Sequence, residues 1–350
     1  MVAQKKILIL GNLGYIGPEL TKRLRSVYPG AFLIGFDIGY FSNHYTTTGF
    51  SPDNYLDVQY YGDVRDFNKE LLDGVHAVVA LAAISNDPIG NKFEQVTQDI
   101  NCEALVRIAQ AAKEKSVASF VFASSCSVYG FAEEGARTEG SELNPLSAYA
   151  RSKVLAETKL KPLASNKFSV TCLRFATACG MSDRLRLDLV LNDFVAGAMS
   201  QKKISILSDG TPLRPLIHVK DMARAIDWAM ERRSGGDFLI VNAGSNEWNY
   251  SVKELADAVS EVFPGTEVTV NKNAQPDKRS YKVNFDLFAK LAPEHQPRFS
   301  LKEAILDLKK GLEEINFRNA DFRNSNLVRL NVINGLIDDK KINADLRVIR

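Results

Sequence analysis

Short apolar segments alternate with longer segments of helical periodicity through the first half of the chain. The apolar segments have the length of buried strands, and the periodic segments have the length of helices. This alternation predicts parallel βαβ units, hence an α/β fold with a doubly wound parallel sheet. The predicted strands are Ile7–Leu10, Ala31–Phe36, His76–Leu81, Ser119–Ala123 and Ser169–Arg174, and the predicted helices between them are Tyr15–Val27, Phe93–Lys115 and Ala148–Ala164.

The pattern becomes less regular after about Cys179. Proline, glycine and asparagine residues separate the later elements and predict turns between them. We expect residues 1–178 to form the sheet domain, residues 179–316 a smaller lobe that caps it and returns some segments to it, and residues 317–350 a tail without an assigned role. The later elements are helices Leu189–Ser200, Lys220–Arg232, Val252–Phe263 and Leu301–Ile315, strands Lys203–Leu207 and Glu267–Val270, and the tail segment Leu327–Ile337.

Composition and charge exclude several classes of function. The 350 residues are 45% hydrophobic and 25% charged, typical of a globular protein, and 44 Lys and Arg nearly balance 42 Asp and Glu. Such a chain has no overall field to attract nucleic acid or an anionic membrane. The four cysteines and four histidines lack metal-ligand spacing, and no segment is a secretory leader or long enough to span a bilayer. We therefore expect a cytoplasmic protein with reduced thiols and no metal.

A glycine-rich loop follows the first predicted strand. Its sequence, Gly11-Asn-Leu-Gly14-Tyr-Ile-Gly17, leads directly into a predicted helix, so its glycines would permit a tight turn and a close approach of pyrophosphate to the helix N-terminus. Alone, such a motif also occurs as an ordinary turn. Asp37 ends the second strand, where a carboxylate accepts hydrogen bonds from the adenosine ribose. Together they predict a Rossmann-type dinucleotide site.

Asp37 also bears on which dinucleotide is bound. A carboxylate repels a 2′-phosphate, and residues 38–41 contain no arginine to bind one. The sequence therefore favours NAD over NADP. The alternative interpretation of Asp37 is a solvated carboxylate at the end of a strand.

Tyr149 and Lys153 stand four residues apart at the start of a predicted helix, which places both side chains on one face. A phenol has an ordinary pKa of about 10, and a nearby ammonium is expected to lower the pKa of Tyr149 into the working range of an acid/base. Ser124 and Ser125 follow the strand Ser119–Ala123, whose carboxyl end should face the ligand crevice. Taken alone, a Tyr and a Lys at this spacing more often mark a solvated helix face.

The ordered set of motifs resembles the extended short-chain dehydrogenase/reductases, and more narrowly their NAD-dependent nucleotide-sugar epimerase/dehydratase group, from about residue 5 to about residue 290. The motifs are the glycine loop, Asp37, Asp63-Val64, Leu81-Ala-Ala83, Ser124-Ser125 to Tyr129-Gly130, Tyr149 with Lys153, Leu173-Arg-Phe175 and Arg214-Pro-Leu-Ile-His218-Val-Lys-Asp221.

The resemblance implies a role for each matching residue. Ser125 would be the catalytic hydroxyl, Tyr149 the acid/base, and Lys153 would hold both Tyr149 and the nicotinamide ribose. It implies NAD as cofactor, a nucleotide-diphosphate sugar as substrate, and a homodimer formed through the helices 93–115 and 148–164. The implied NAD-binding residues are Gly11, Gly14, Tyr15, Ile16, Gly17, Asp37, Asp63, Val64, Leu81, Ala82, Ala83, Tyr149 and Lys153; the implied substrate-binding residues are Ser125, Asn192, Arg214 and Arg279.

Departures from the family pattern discriminate among its reactions. The 4,6-dehydratases carry an Asp-Glu pair after the catalytic hydroxyl, whereas this chain has Cys126 and Ser127, which disfavours dehydration. The 3,5-epimerising reductases carry a cysteine at the position of Ser127, and we interpret Cys126 as a core thiol. Arg214-Pro-Leu and the segment 184–192 also depart from the family, on the substrate side, and leave the sugar and the base open.

Three hypotheses follow. The first is a redox-neutral C4 epimerase that retains NAD and acts through a transient 4-keto sugar. The second is a 4-keto reductase or C4 dehydrogenase of a nucleotide-activated deoxysugar, which uses the same residues for a single hydride transfer. The third is a binding protein that has lost its chemistry, and the intact Ser125, Tyr149 and Lys153 argue against it.

Overall fold

The computed structural model of the chain describes residues 4–47, 49–85, 87–232, 235–271, 274 and 280–349. The strands are β1 (Lys6–Leu10), β2 (Phe32–Asp37), β3 (Val58–Tyr61), β4 (Ala77–Ala80), β5 (Ser119–Ser125), β6 (Phe131–Arg137), β7 (Ser169–Phe175), β8 (Thr177–Cys179), β9 (Lys203–Ile206), β10 (Leu213–His218), β11 (Phe238–Ala243), β12 (Asn249–Ser251), β13 (Glu267–Val270) and β14 (Ser280–Val283). The helices are α1 (Gly17–Val27), α2 (Asp87–Lys92), α3 (Glu94–Gln98), α4 (Leu105–Glu114), α5 (Ala148–Leu160), α6 (Val190–Gln201), α7 (Val219–Glu231), α8 (Val252–Val262), α9 (Asp286–Leu291), α10 (Leu301–Glu314) and α11 (Arg329–Asp338).

The central sheet confirms the predicted fold class. Its strands lie in the order β11-β7-β5-β4-β1-β2-β3, and all of them are parallel. The five strands predicted in the first half are all members. The pattern did not predict β3, or β11, which comes from the second half of the chain and pairs with β7 in register Val170 to Phe238.

Helices cover both faces of this sheet. Alternate residues of β1 point to opposite faces, so Ile7 and Ile9 pack with α1 and α7, whereas Leu8 and Leu10 pack with α4 and α5. These strands are almost entirely buried because a parallel sheet covered on both faces has no solvated side. The result is a three-layer domain whose strand ends open at one edge.

The predicted helix Phe93–Lys115 is interrupted in the structure. A π-helical turn, Asp99–Ala104, separates α3 from α4. Within it the Asn101 side chain accepts a hydrogen bond from the Ile84 backbone N–H (2.8 Å) and donates to the Ile84 carbonyl (3.0 Å). Single π turns of this kind are frequent near functional sites. This one fixes the loop that follows β4.

Much of the second half packs around its own core. Helices α6, α8 and α10 surround fully buried side chains such as Leu191, Leu255 and Leu308. Capping boxes at Ser251 and Ser300 start α8 and α10, respectively, and satisfy otherwise unpaired N–H groups. The described helices include none with the length and apolarity needed to cross a lipid bilayer.

Candidate active site

A cavity of about 810 Å³ opens along the carboxyl ends of the central strands and continues between the sheet and the second half of the chain. Ligands of doubly wound sheets bind at this edge. All predicted cofactor residues except Gly17 line the cavity, and so do Ser125 and Arg214. The fold therefore brings the motifs quoted above to one cleft.

The glycine loop requires glycine for a steric reason. Gly11 has φ +83°, and a Cβ there would lie 2.4 Å from the Ala82 backbone nitrogen; at Gly17 a Cβ would lie 1.8 Å from the Asn12 carbonyl oxygen. Helix α1 starts with Ile16 as its N-cap residue, which supplies no side-chain cap. The first N–H groups of a helix favour an anion when no side chain caps them. The loop thus suits the pyrophosphate of a dinucleotide.

Asp37 is held in place by the same loop. Its carboxylate accepts hydrogen bonds from the Leu13 N–H (3.0 Å) and the Gly39 N–H (2.8 Å). Burial raises the pKa of Asp37, and these two N–H groups partly oppose the rise. Asp63 lines the cavity too, but its carboxylate is occupied by Arg65, 2.6 Å away. Of these two carboxylates, Asp37 is therefore the one available to bind the ribose.

Ser125, Tyr149 and Lys153 meet at the other end of the cavity. Ser125 ends β5, and its hydroxyl is hydrogen-bonded to the Tyr149 phenol. Tyr149 and Lys153 lie on α5, whose N-cap is Ser147, and the Lys153 ammonium lies 5.5 Å from the centre of the Tyr149 ring. Ser124 points elsewhere, since its hydroxyl donates to Glu157 (2.6 Å). The geometry favours Ser125 over Ser124 as the hydroxyl next to the phenol.

The pKa values of this pair differ from the sequence-based expectation. Burial raises the pKa of Tyr149 to about 12, and the Ser125 hydrogen bond only partly opposes this. Burial also lowers the pKa of Lys153 to about 7, and Glu157 partly opposes that shift. The expectation that Lys153 lowers the pKa of Tyr149 is therefore wrong for the protein alone. Desolvation favours the neutral form of both groups.

The pKa of Lys153 makes stability depend on pH. The unfolded chain holds a proton on Lys153 up to about pH 10.4, whereas the folded, cofactor-free protein releases it near pH 7. Stability should therefore rise between about pH 7 and pH 10, by up to about 1.4 kcal/mol per pH unit. Urea unfolding of the wild type and of Lys153→Met between pH 6.5 and 9 checks this. The unfolding free energy of the wild type should increase relative to that of Lys153→Met as pH rises. A difference that stays constant with pH would contradict a lowered pKa of Lys153.

A buried polar network lies behind the catalytic residues. The Arg174 guanidinium donates to both carboxylate oxygens of Glu157 (3.0 and 2.7 Å) and to the Tyr129 hydroxyl (3.0 Å). Each side chain of the Arg174–Glu157 pair is only 3% exposed. The Cys126 thiol is buried and donates to the Arg174 carbonyl, in agreement with a core thiol. The network ties β5, α5 and β7 together beneath Lys153.

The substrate side agrees less well with the sequence predictions. Asn192 is fully buried and does not line the cavity: its amide donates to the Tyr15 hydroxyl (3.2 Å) and the Arg186 carbonyl (2.9 Å), and its oxygen accepts from the Gly180 N–H (3.0 Å). Because these hydrogen bonds occupy its side chain, Asn192 positions Tyr15 and neighbouring backbone and does not face a ligand directly. Arg214 does line the cavity. Arg279 lies outside the described residues.

Sequence reasoning singled out neither of two charged residues in the cleft, although one of them, Arg186, lies in the segment 184–192 that it assigned to the substrate side. Arg186 is buried, forms a bidentate pair with Asp188 (2.9 Å) and donates to the Ser85 hydroxyl (2.9 Å). Asp87 accepts a hydrogen bond from Ser147 (2.6 Å) and lies close enough to Tyr149 to affect its pKa. Neither belongs to a motif. Only the pairing of distant segments brings them into the cavity.

Comparisons with known proteins show what the chain is similar to. The sequence profile of the NAD-dependent epimerase/dehydratase family matches residues 7–244. The chain is 30% identical over 230 residues to a protein of Bacillus subtilis named uncharacterized UDP-glucose epimerase YtcB, covering 63% of this chain and 71% of that one. It is 27% identical over 281 residues to a UDP-glucose 4-epimerase of Rhizobium meliloti, covering 73% and 81%.

The fold is also found among solved structures. The structure of MoeE5 in complex with UDP-glucose and NAD matches with a TM-score of 0.74 and 24% identity, over 88% of this chain and 98% of that one. At this level of identity the match concerns the fold.

Proposed function

The chain belongs to the NAD-dependent epimerase/dehydratase family, and we propose that it epimerises a nucleotide-diphosphate sugar at C4 through a transient 4-keto sugar. NAD is the cofactor of the family, and the glycine loop and Asp37 fit it. The relatives named for UDP-glucose make UDP-glucose the first substrate to test.

The observation that carries the proposal is the meeting of Ser125, Tyr149 and Lys153 at one end of the dinucleotide cavity. The same cavity extends to Arg214, whose guanidinium has the planar donor geometry that suits a diphosphate. Arg214 and Tyr149 line the same cavity, so a diphosphate held by Arg214 would place its sugar in the cleft that contains the reactive side chains.

Each residue has a defined task. Tyr149 would act as the phenolate, a form that the positive charges of a protonated Lys153 and of oxidised NAD favour in the loaded site. The phenolate takes the proton of the C4 hydroxyl, and the resulting phenol later returns a proton to the 4-keto oxygen. Ser125 holds the phenol by its hydrogen bond and offers a donor to the same sugar oxygen. Lys153 adds positive charge beside the phenol when it is protonated. NAD would be held by the glycine loop, Asp37 and Lys153, and it would supply a reversible acceptor for the hydride on C4 of the sugar.

The residues after Ser125 support epimerisation over dehydration. Elimination of water from the sugar needs an additional acid and base. The thiol of Cys126 is buried, hydrogen-bonded to a backbone carbonyl, and its pKa is raised by burial, so it is a poor proton donor or acceptor. Ser127 carries only a hydroxyl.

The test is a product analysis with the purified full-length protein. The released dinucleotide is identified after denaturation, and fresh protein is incubated with UDP-glucose and with GDP-, CDP- and dTDP-sugars. We expect co-purified NAD and an isomer of unchanged mass that differs at C4 by NMR. The Tyr149→Phe protein is the negative control.

Other products would point to other reactions. A product two mass units heavier or lighter, formed only with stoichiometric NAD(P)H or NAD(P), would replace the epimerase by a 4-keto reductase or a C4 dehydrogenase. A product that has lost water would instead indicate a dehydratase.

A further inference from the structure

The C-terminal segment, residues 327–349, folds back onto the sheet domain. Ile333, Ile342 and Leu346 are buried in the core that contains Leu8 and Leu10 of β1. The Arg65 guanidinium donates to the carbonyls of Asp345 (2.7 Å) and Leu346 (2.9 Å), and the Tyr40 hydroxyl also donates to Leu346. The segment is therefore an integral part of the wall beside Asp37.

Arg329 is the first residue of α11 and lines the cavity. Among the described residues of this helix, it is the one charged residue that does so. Its side chain is 3% exposed, its Nη2 donates to the Arg184 carbonyl (3.1 Å), and its guanidinium carbon lies 4.0 Å from the centre of the Phe41 ring. Its Nη1 is buried and has no hydrogen-bond partner among the described residues. A buried cationic donor without a partner is costly.

The neighbouring arginines are neutralised differently. Arg184 pairs with Asp53 (2.9 Å) and Arg186 pairs with Asp188 (2.9 Å). No carboxylate of the described residues forms such a pair with Arg329. Burial, together with the charges of Arg186 and Arg184, lowers the pKa of Arg329 to about 9, and the carboxylates of Asp188 and Asp37 only partly oppose this shift. An anionic ligand at Nη1 would supply the hydrogen-bond acceptor and the paired negative charge that the described residues do not.

The position of Arg329 suggests which anion this is. Its charge acts on Asp37, at the ribose end of the cavity, and on Arg186, whose own charge acts on Tyr149 at the reaction end. A dinucleotide with its adenosine ribose at Asp37 and its reactive ring near Tyr149 has its pyrophosphate between these ends. The uncapped start of α1, at Tyr15 and Ile16, lines the same cavity as Arg329.

We propose that Arg329 binds the pyrophosphate of the dinucleotide, so that the C-terminal segment forms one wall of the cofactor site. This inference rests on the proposed function only for the identity of the dinucleotide. It assigns a ligand to a residue outside the glycine loop and outside the stretch that matches the family.

The test compares ligands with and without the pyrophosphate on full-length proteins. The dissociation constants of NAD, NADP, adenosine and UDP are measured by calorimetry for the wild type, Arg329→Gln and Arg329→Lys, after any co-purified NAD has been removed from each protein. Arg318→Gln, which removes an exposed arginine of the same tail, is the matched control, and thermal unfolding without ligand checks the fold of each protein. We expect Arg329→Gln to weaken NAD binding by about 10- to 100-fold, with Arg329→Lys between it and the wild type. Adenosine and UDP should bind as before.

Each contrary result has a distinct meaning. Equal NAD affinity in wild type and Arg329→Gln would overturn the inference and leave the proposed function standing. Equal losses for NAD and adenosine would show that Arg329 only shapes the wall, and a loss for UDP alone would assign it to the substrate's diphosphate. A wild type that prefers NADP, with the preference lost in Arg329→Gln, would assign it to a 2′-phosphate. A wild type that binds no dinucleotide would instead reject the proposed function.

Discussion

Replacement of Tyr149 by phenylalanine is expected to lower kcat by about 10²- to 10⁴-fold, the usual contribution of a positioned acid/base. The ring and its place on α5 are retained, and only the hydroxyl that is hydrogen-bonded to Ser125 is lost. Because that hydroxyl takes part in proton transfer in the transition state, kcat and kcat/KM should fall together while the substrate KM changes little. Steady-state kinetics with the substrate identified in the product analysis measure both.

Two controls separate chemistry from structure. The Tyr149→Phe protein should retain NAD and unfold within a few degrees of the wild type. Tyr60→Phe removes the hydroxyl of an exposed tyrosine on β3 and should leave kcat unchanged. Unchanged kcat in Tyr149→Phe would exclude this residue as the acid/base and would revive the interpretation as a binding protein.

Replacement of Gly17 by alanine is expected to be the most disruptive single-methyl change in the glycine loop. The new Cβ would lie 1.8 Å from the Asn12 carbonyl oxygen and 2.4 Å from its carbon, and both atoms are backbone that cannot rotate away. Helix α1 must therefore move away from the loop. We expect a loss of about 3 kcal/mol or more in stability together with loss of bound NAD, measured by urea unfolding and by the dinucleotide content of the purified protein.

Gly30 provides the matched control. It follows the other end of α1, and a Cβ there would meet nothing within 4 Å. Gly30→Ala should change stability by less than about 0.5 kcal/mol and leave NAD bound. Similar effects of the two substitutions would mean that the contact at Gly17 is not what requires glycine.

Local motifs were the part of the molecule that the sequence predicted well. The strand, glycine loop and helix of β1 and α1 are adjacent in the chain, so their pattern specifies them directly. Tyr149 and Lys153 share a face of α5 because their spacing matches a helical turn. The position of Ser125 could be predicted from the end of a single strand, β5. In each case the relevant contacts lie within a few residues or at the known open edge of a parallel sheet.

Features that depend on distant partners could not be predicted in this way. The π turn exists because Asn101 bonds to the loop after β4, and the pattern between 93 and 115 contains no sign of that partner. Asn192 matched a substrate position, but Tyr15 and Gly180 occupy its amide. Arg329 reaches the wall near Asp37 from the far end of the chain. The pKa values depend on desolvation, which only the packed cavity reveals.

The place of β11 in the sheet has a consequence for how the chain folds. β7 lies between β5 and β11, so the edge of β7 stays unpaired until a strand from the second half docks. Long loop closures of this kind slow folding, and an unpaired apolar edge invites association between chains. A fragment that ends at the predicted domain boundary near residue 178 would expose that edge permanently. We therefore expect the two halves of the chain to fold as one cooperative unit, although their sequence patterns look separate.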